Sequence, residues 1–152
     1  MADVAAAGAR AVAAARAWIG TPYVPGASAQ GAGADCLGLL RGVWRTLHGW
    51  EPAEAAGPFH RLHAAQGVDE RLWRGLAARM ETVAAGAALG GDVALIRMRP
   101  GMAAEHVGVL AFRPERGATL IHAYSRRGVV ESALGPAWRG RVAAAFRFPE
   151  DV

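Results

Sequence analysis

The sequence predicts an α+β domain in which N-terminal helices pack on an antiparallel sheet. Two observations carry that expectation. Up to about residue 84, apolar residues recur at spacings of three and four, the period of a helix face. After Gly90-Gly91 the period becomes two, and strand-like segments follow one another with Gly, Pro and Arg-rich turns between them. The 152 residues are one domain's worth, and no repeat, linker or low-complexity tail divides them, so a single domain over 1–152 is expected.

The elements follow in order. Asp3 can cap a first helix running to about Ile19, where Gly20 and Pro22 make a stop. Gly20 to Ala34 reads as a loop of glycine, proline and small residues. A second helix is predicted from Cys36 to about His48, with Leu37, Leu40, Trp44 and Leu47 as its apolar seam and Gly49 as its end. Glu51 to Gly67 is poorly patterned and reads as irregular. A third helix is predicted from Asp69 to about Ala84, with Leu72, Leu76, Met80 and Val83 on one face. The predicted strands are Asp92–Met98, His106–Phe112, Ala118–Tyr124, Val129–Ala133 and Val142–Phe148.

Composition narrows the function classes. Hydrophobic residues make up 53 % of the chain, yet no uncharged apolar run approaches the ~18 residues of a membrane span, so no membrane insertion is expected. Asp3 opens the N-terminus, and Arg10 and Arg16 interrupt the alanine-rich stretch, which reads as a helix of the mature protein rather than an export signal. The one cysteine excludes an internal disulfide. The net charge of +4 comes from 17 arginines with no lysine, spread along the chain without alternating aromatics, so no nucleic-acid partner is expected.

That single cysteine is the most informative residue. Cys36 follows Gly33-Ala34-Asp35 and opens the second helix, where unpaired N–H groups and the helix dipole favour a thiolate. Two histidines lie in predicted strands. If Arg113–Gly117 joins those strands, Phe112 pairs with Ala118 and His106 lies opposite Tyr124, which makes His106 and His122 diagonal neighbours on one face. Gly108 between them would leave room for the rings, and packing the second helix against that face would bring Cys36 to His106. The roles would then be Cys36 as nucleophile, His106 as base and His122 as the group that fixes its tautomer. The Cys36 N–H and a donor such as Tyr23 could stabilise an oxyanion.

Plainer readings stand beside this one. A lone cysteine is commonly an inert hydrophobe, a lone strand histidine a core residue, and Asp35 a helix cap. Cys36, His106 and His122 could bind zinc, though no fourth ligand is evident and no metal or other cofactor is expected. His48, His60 and His63 read as surface or structural, the last two spaced like a weak metal pair.

Five short motifs stand in order from Gly20 to Tyr124: Gly20-Thr21-Pro22-Tyr23, Asp35-Cys36-Leu37-Gly38-Leu39-Leu40, Gly91-Asp92-Val93, His106-Val107-Gly108-Val109-Leu110 and Ile121-His122-Ala123. Together they resemble the NlpC/P60 family of cysteine peptidases. The resemblance implies a papain-like core, Cys36, His106 and His122 as a catalytic triad, and Tyr23 near the oxyanion, with Asp35 in support. It implies cleavage of peptidoglycan stem peptides, often between D-γ-glutamate and a diamino acid. With no export signal or wall-binding module read, it points to the compact type found in phage tails and gene transfer agents. Such a protein is made in the cytoplasm, held by tail or baseplate proteins, and active in the periplasm of the target cell. The chain departs from the family at Leu37, where serine is usual, and at Val24-Pro25-Gly26-Ala27, where a Gly-Gly pair is common. An amidase or acyltransferase on the same fold, and a catalytically idle tail subunit, are the alternative functions.

Overall fold

The computed structural model describes residues 3–55 and 67–150, so His60 and His63 lie outside the described residues. Helix α1 spans Val4–Arg16, and Asp3 caps it by accepting hydrogen bonds from the N–H groups of Ala5 and Ala6. Its buried side chains are Ala11, Ala14 and Ala15, small enough to let the helix axis approach its neighbour closely. The chain leaves α1 through a turn and places Trp18 over helix α2 (Cys36–His48). A Cβ at Gly42 would lie 2.0 Å from the Trp18 ring, so glycine is what admits the indole there.

Helix α2 has the predicted bounds because both ends are encoded locally. Asp35 caps its start, and Gly49, in the left-handed region at φ 78°, ends it. The helix is buried on two sides. Leu37, Leu40 and Trp44 share one core with Leu72, Leu76, Val93, Leu95 and Phe146, while Leu39 and Val43 join Ala11, Ala15, Val109 and Ile121 in another. Before it, the short strands β1 (Ser28–Ala29) and β2 (Gly33–Ala34) make a hairpin that the loop composition concealed.

Helix α3 (Arg71–Arg79) is shorter than its periodicity suggests. Met80 is already extended, and Glu81–Val83 forms β3, an edge strand pairing antiparallel with β8 (Val142–Arg147). Val83 matched the helical spacing, but Thr82 and Val83 are β-branched, and pairing with β8 gives their backbone groups ladder partners that an exposed helix end lacks. Strands β4 (Val93–Ile96), β5 (His106–Arg113), β6 (Gly117–Tyr124) and β7 (Gly128–Ala133) complete a six-stranded antiparallel sheet in the order β3-β8-β4-β5-β6-β7. The one-turn helix α4 (Pro136–Arg139) links β7 to β8 and was not foreseen.

The β5–β6 register is the one expected from the sequence. Phe112 pairs with Ala118 and Arg113 with Gly117, with Gly117 at φ 76° closing the turn. The face that α2 covers is not the one expected. Val107, Val109, Ala111, Ile121, Ala123 and Val129 lie in the two cores that α1 and α2 complete. By alternation His106, His122 and Ser132 point to the other face, where Ala94, Ile96 and Leu120 pack with Trp138 of α4. Nor do the rings fill the space over Gly108: a Cβ there would meet Leu120 Cδ1 at 2.6 Å.

Candidate active site

Cys36 therefore meets β5 at its beginning rather than across its face. Cys36 is 6 % exposed, its thiol donates to the Glu105 carbonyl at 3.7 Å, and the Val107 N–H also faces the sulfur. Those two residues flank His106. Burial pushes the Cys36 thiol up to about 12, the Asp35 carboxylate adds to that, and the N–H groups of Val107, Leu37 and Cys36 act in the opposite direction. This corrects the expectation of a thiolate favoured by the helix start. The sulfur is desolvated beside a carboxylate, and those two effects outweigh the helix end. The resting group is a thiol.

The two histidines are in direct contact. His106 Nε2 and His122 Nδ1 are 2.8 Å apart, with ring centroids 5.0 Å apart and the planes near perpendicular. His122 is 1 % exposed, and its far nitrogen, Nε2, lies 3.0 Å from Ser132 Oγ. Burial pushes His122 down to about 4, so it is neutral near pH 7. Trp138 sits edge-on to His122 with centroids 5.2 Å apart, and Tyr124 lies 5.5 Å from the same ring. Together they wall the pair off on the side away from α2.

This arrangement argues against zinc at these three residues. The His106 and His122 nitrogens that meet are engaged with each other and cannot both turn to a metal. Among the described residues, no group of three or more His, Cys, Asp or Glu converges as metal ligands. No described helix is long and apolar enough to cross a membrane. His48 is half-buried and packs on Trp44 at 4.8 Å, away from the cleft.

Asp35 and Tyr23 shape the other wall. Asp35 is buried, and its Oδ1 accepts the Gly38 N–H at 2.8 Å while its Oδ2 accepts the Gly26 N–H at 2.7 Å. It thus ties the loop to the first turn of α2. Gly38 is needed for that contact, since a Cβ there would lie 1.8 Å from the Ala27 carbonyl oxygen. The loop carries Tyr23, which bridges to Ala34 and lines the same cleft as Cys36. Its hydroxyl is shifted upward by burial first, then by Cys36 and Asp35. Leu37 points into the core between α2 and α3, so the residue standing in place of a serine is a packing group.

The cleft has a volume of about 380 Å³ and is lined by Tyr23, Cys36, His106 and Tyr124, with Arg99 and Glu105 on its walls. Burial, and Glu70 nearby, shift the Glu105 carboxyl upward. Sequence reasoning missed Ser132, Tyr124 as a wall, and Trp138. The first two follow from alternation once the register is known, whereas nothing local marks Trp138.

No protein-family profile and no curated protein sequence matches this chain. Solved structures do. The NlpC/p60 domain of the peptidoglycan hydrolase SagA superposes with a TM-score of 0.56 at 22 % identity, over 93 % of this chain and 98 % of that one. A protein described as similar to lipoprotein, of the NLP/P60 family (SAV0400, from Staphylococcus aureus subsp. aureus Mu50), superposes with a TM-score of 0.58 at 19 % identity. That match covers 93 % of this chain and 41 % of the other, so the chain spans well under half of that protein's length. Helices before and beneath an antiparallel sheet, with the lone cysteine at a helix start beside the first histidine strand, make the fold of this chain that of the NlpC/P60 domains.

Proposed function

We propose that the protein is a cysteine peptidase acting on peptidoglycan stem peptides. The observation that carries this reading is the chain of contacts at the start of β5: Cys36 Sγ against the backbone on both sides of His106, and His106 Nε2 on His122 Nδ1. His106 Nδ1 takes the Cys36 proton as Sγ attacks the substrate carbonyl and the C=O electrons move to oxygen. The oxyanion is met by the Cys36 N–H and by Tyr23 on the facing loop. Collapse breaks the C–N bond, and the leaving amine takes the proton from His106. A water then gives its proton to His106 and attacks the thioester, which releases the acid and returns the proton to Cys36. His122 is a positioning residue that holds His106 in one orientation.

The substrate class rests on the fold shared with SagA, a peptidoglycan hydrolase by description. The cleft supports it, because Arg99 and Glu105 set both signs of charge along its walls, suited to a peptide with a free carboxylate and a free amine. The finer assignments, cleavage between D-γ-glutamate and a diamino acid and delivery by a phage-like tail, are supported by the motif resemblance. Mass spectrometry of purified peptidoglycan after incubation tests the activity: new stem-peptide fragments should appear with the wild type and not with Cys36→Ala. Fragments from both proteins would overturn the nucleophile assignment, and fragments from neither would overturn the peptidase reading. Absence of the protein from purified particles would remove the tail assignment alone.

A further inference from the structure

The His106–His122 contact leaves open which nitrogens carry the protons, and the catalytic step selects between the possibilities through the residue behind His122. Two arrangements satisfy both short contacts. In one, His106 Nε2–H donates to His122 Nδ1 and His122 Nε2–H donates to Ser132 Oγ, leaving a lone pair on His106 Nδ1. In the other every proton points the opposite way, and His106 Nδ1 carries a hydrogen and cannot act as a base. When His106 takes the thiol proton, both of its nitrogens become donors. His122 must then accept at Nδ1 and hold its own proton on Nε2. Ser132 Oγ, at 3.0 Å, is positioned to receive that buried N–H.

We propose that Ser132 is a positioning residue of the site, whose hydroxyl oxygen accepts the His122 Nε2–H and thereby keeps His106 in its basic tautomer. This deepens the peptidase reading and rests on it for its catalytic meaning. The placement is built into the sheet. Val130 lies directly opposite His122, so Ser132, two residues on, shares its face and stands diagonal to it. With alanine at 132, an Nε2–H would face a wall of Leu120 and Trp138 without an acceptor, so His122 would move its proton to Nδ1. His106 would then be forced to accept at Nε2 and to carry its hydrogen on Nδ1.

The test is nitrogen-15 NMR of the imidazole rings in the full chain near neutral pH, alongside turnover of a muropeptide. In the wild type His122 should be the Nε2–H tautomer. Ser132→Ala should shift it toward Nδ1–H and lower kcat/KM by about ten- to a hundred-fold, mostly in kcat, as loss of an orienting partner does elsewhere. Ser132→Thr, which keeps the hydroxyl, should restore both. A wild-type His122 protonated on Nδ1 overturns the proposal, whatever the variants do. So does a Ser132→Ala protein that loses rate with an unchanged tautomer, because Ser132 would then be merely structural, or one that keeps both rate and tautomer. If the wild type cleaves no muropeptide, the peptidase reading fails separately, and the tautomer measurement still decides the placement of Ser132.

Discussion

Acidification should destabilise this fold through His122 before it does so through the carboxylates. The ring is 1 % exposed, and burial pushes it from about 6.5 down to about 4. Between those values the unfolded chain binds a proton that the folded chain refuses, so stability is fully present above about pH 6.5 and is lost as pH falls toward 4. The full gap corresponds to roughly 3 kcal/mol, of which about 2.5 kcal/mol is gone by pH ~4.5. Glu131 works in a lower window. Burial pushes its carboxyl up, but hydrogen bonds from Arg16, Arg113 and Thr119 prevail and hold it at about 2. Its depressed value gives stability that is fully present above the usual carboxylate range and is lost as pH falls on toward 2, so it contributes little to the loss above pH ~4.5. Urea unfolding at pH ~7 and ~4.5, for the wild type and His122→Gln, isolates the effect, since glutamine does not titrate and the carboxylates are common to both. The wild type should lose about 2.5 kcal/mol more than the variant across that interval. Equal losses, to within ~0.5 kcal/mol, would show that His122 is not held neutral by burial, and the tautomer argument would fall with it.

Asp35→Ala removes the cap of α2 and the acceptor for Gly26, and should cost about 2–3 kcal/mol by urea unfolding, with turnover falling further because Tyr23 is carried on the released loop. Gly38→Ala drives a methyl into the Ala27 carbonyl, a backbone atom that cannot swing aside, so thermal unfolding should show a loss of more than ~3 kcal/mol; a loss under ~1 kcal/mol would mean that the loop does not seat on α2 as described.

What the sequence reveals depends on how local the cause is. Helix α2 was legible to the residue because Asp35 and Gly49 cap it through their own neighbours. The β5–β6 register was legible because a short turn with Gly117 at positive φ fixes it, and the register puts His106 and His122 on one face. The face covered by α2 was not legible. Both faces of β5 and β6 are apolar, Val107, Val109 and Ile121 on one and Leu110 and Leu120 on the other, so alternation gives two equivalent choices. Strand β3 is three residues long and pairs with β8 more than sixty positions away, a partnership no window of sequence contains. Ser132 and Trp138 belong to the same class, since each matters only through a ring brought beside it by the sheet. The Cys36 thiol was misjudged for a related reason. The helix start is a local feature, whereas the desolvation that outweighs it comes from the packed sheet.

The two shifts at this site act together. Burial raises Cys36 and lowers His122, so near pH 7 the cleft holds a neutral thiol and a neutral imidazole behind His106. A thiol held at about 12 does not lose its proton to water near pH 7. In the proposed mechanism, ionisation comes by proton transfer to His106 as the sulfur attacks, so charge separates only when a carbonyl is present to become the oxyanion. That arrangement needs the nucleophile and the base held by different layers with little slack. The proposed nucleophile, Cys36, sits on α2, clamped by Asp35 to the loop, and the proposed base, His106, sits on the opposite face of β5, backed by His122, Ser132 and Trp138. The start of β5 is where the two layers meet, and Cys36 is in contact with the backbone on both sides of His106 there. Sub-ångström movement of that junction changes the sulfur–imidazole distance directly, so in the proposed mechanism the loop clamp and the buried histidine both bear on turnover.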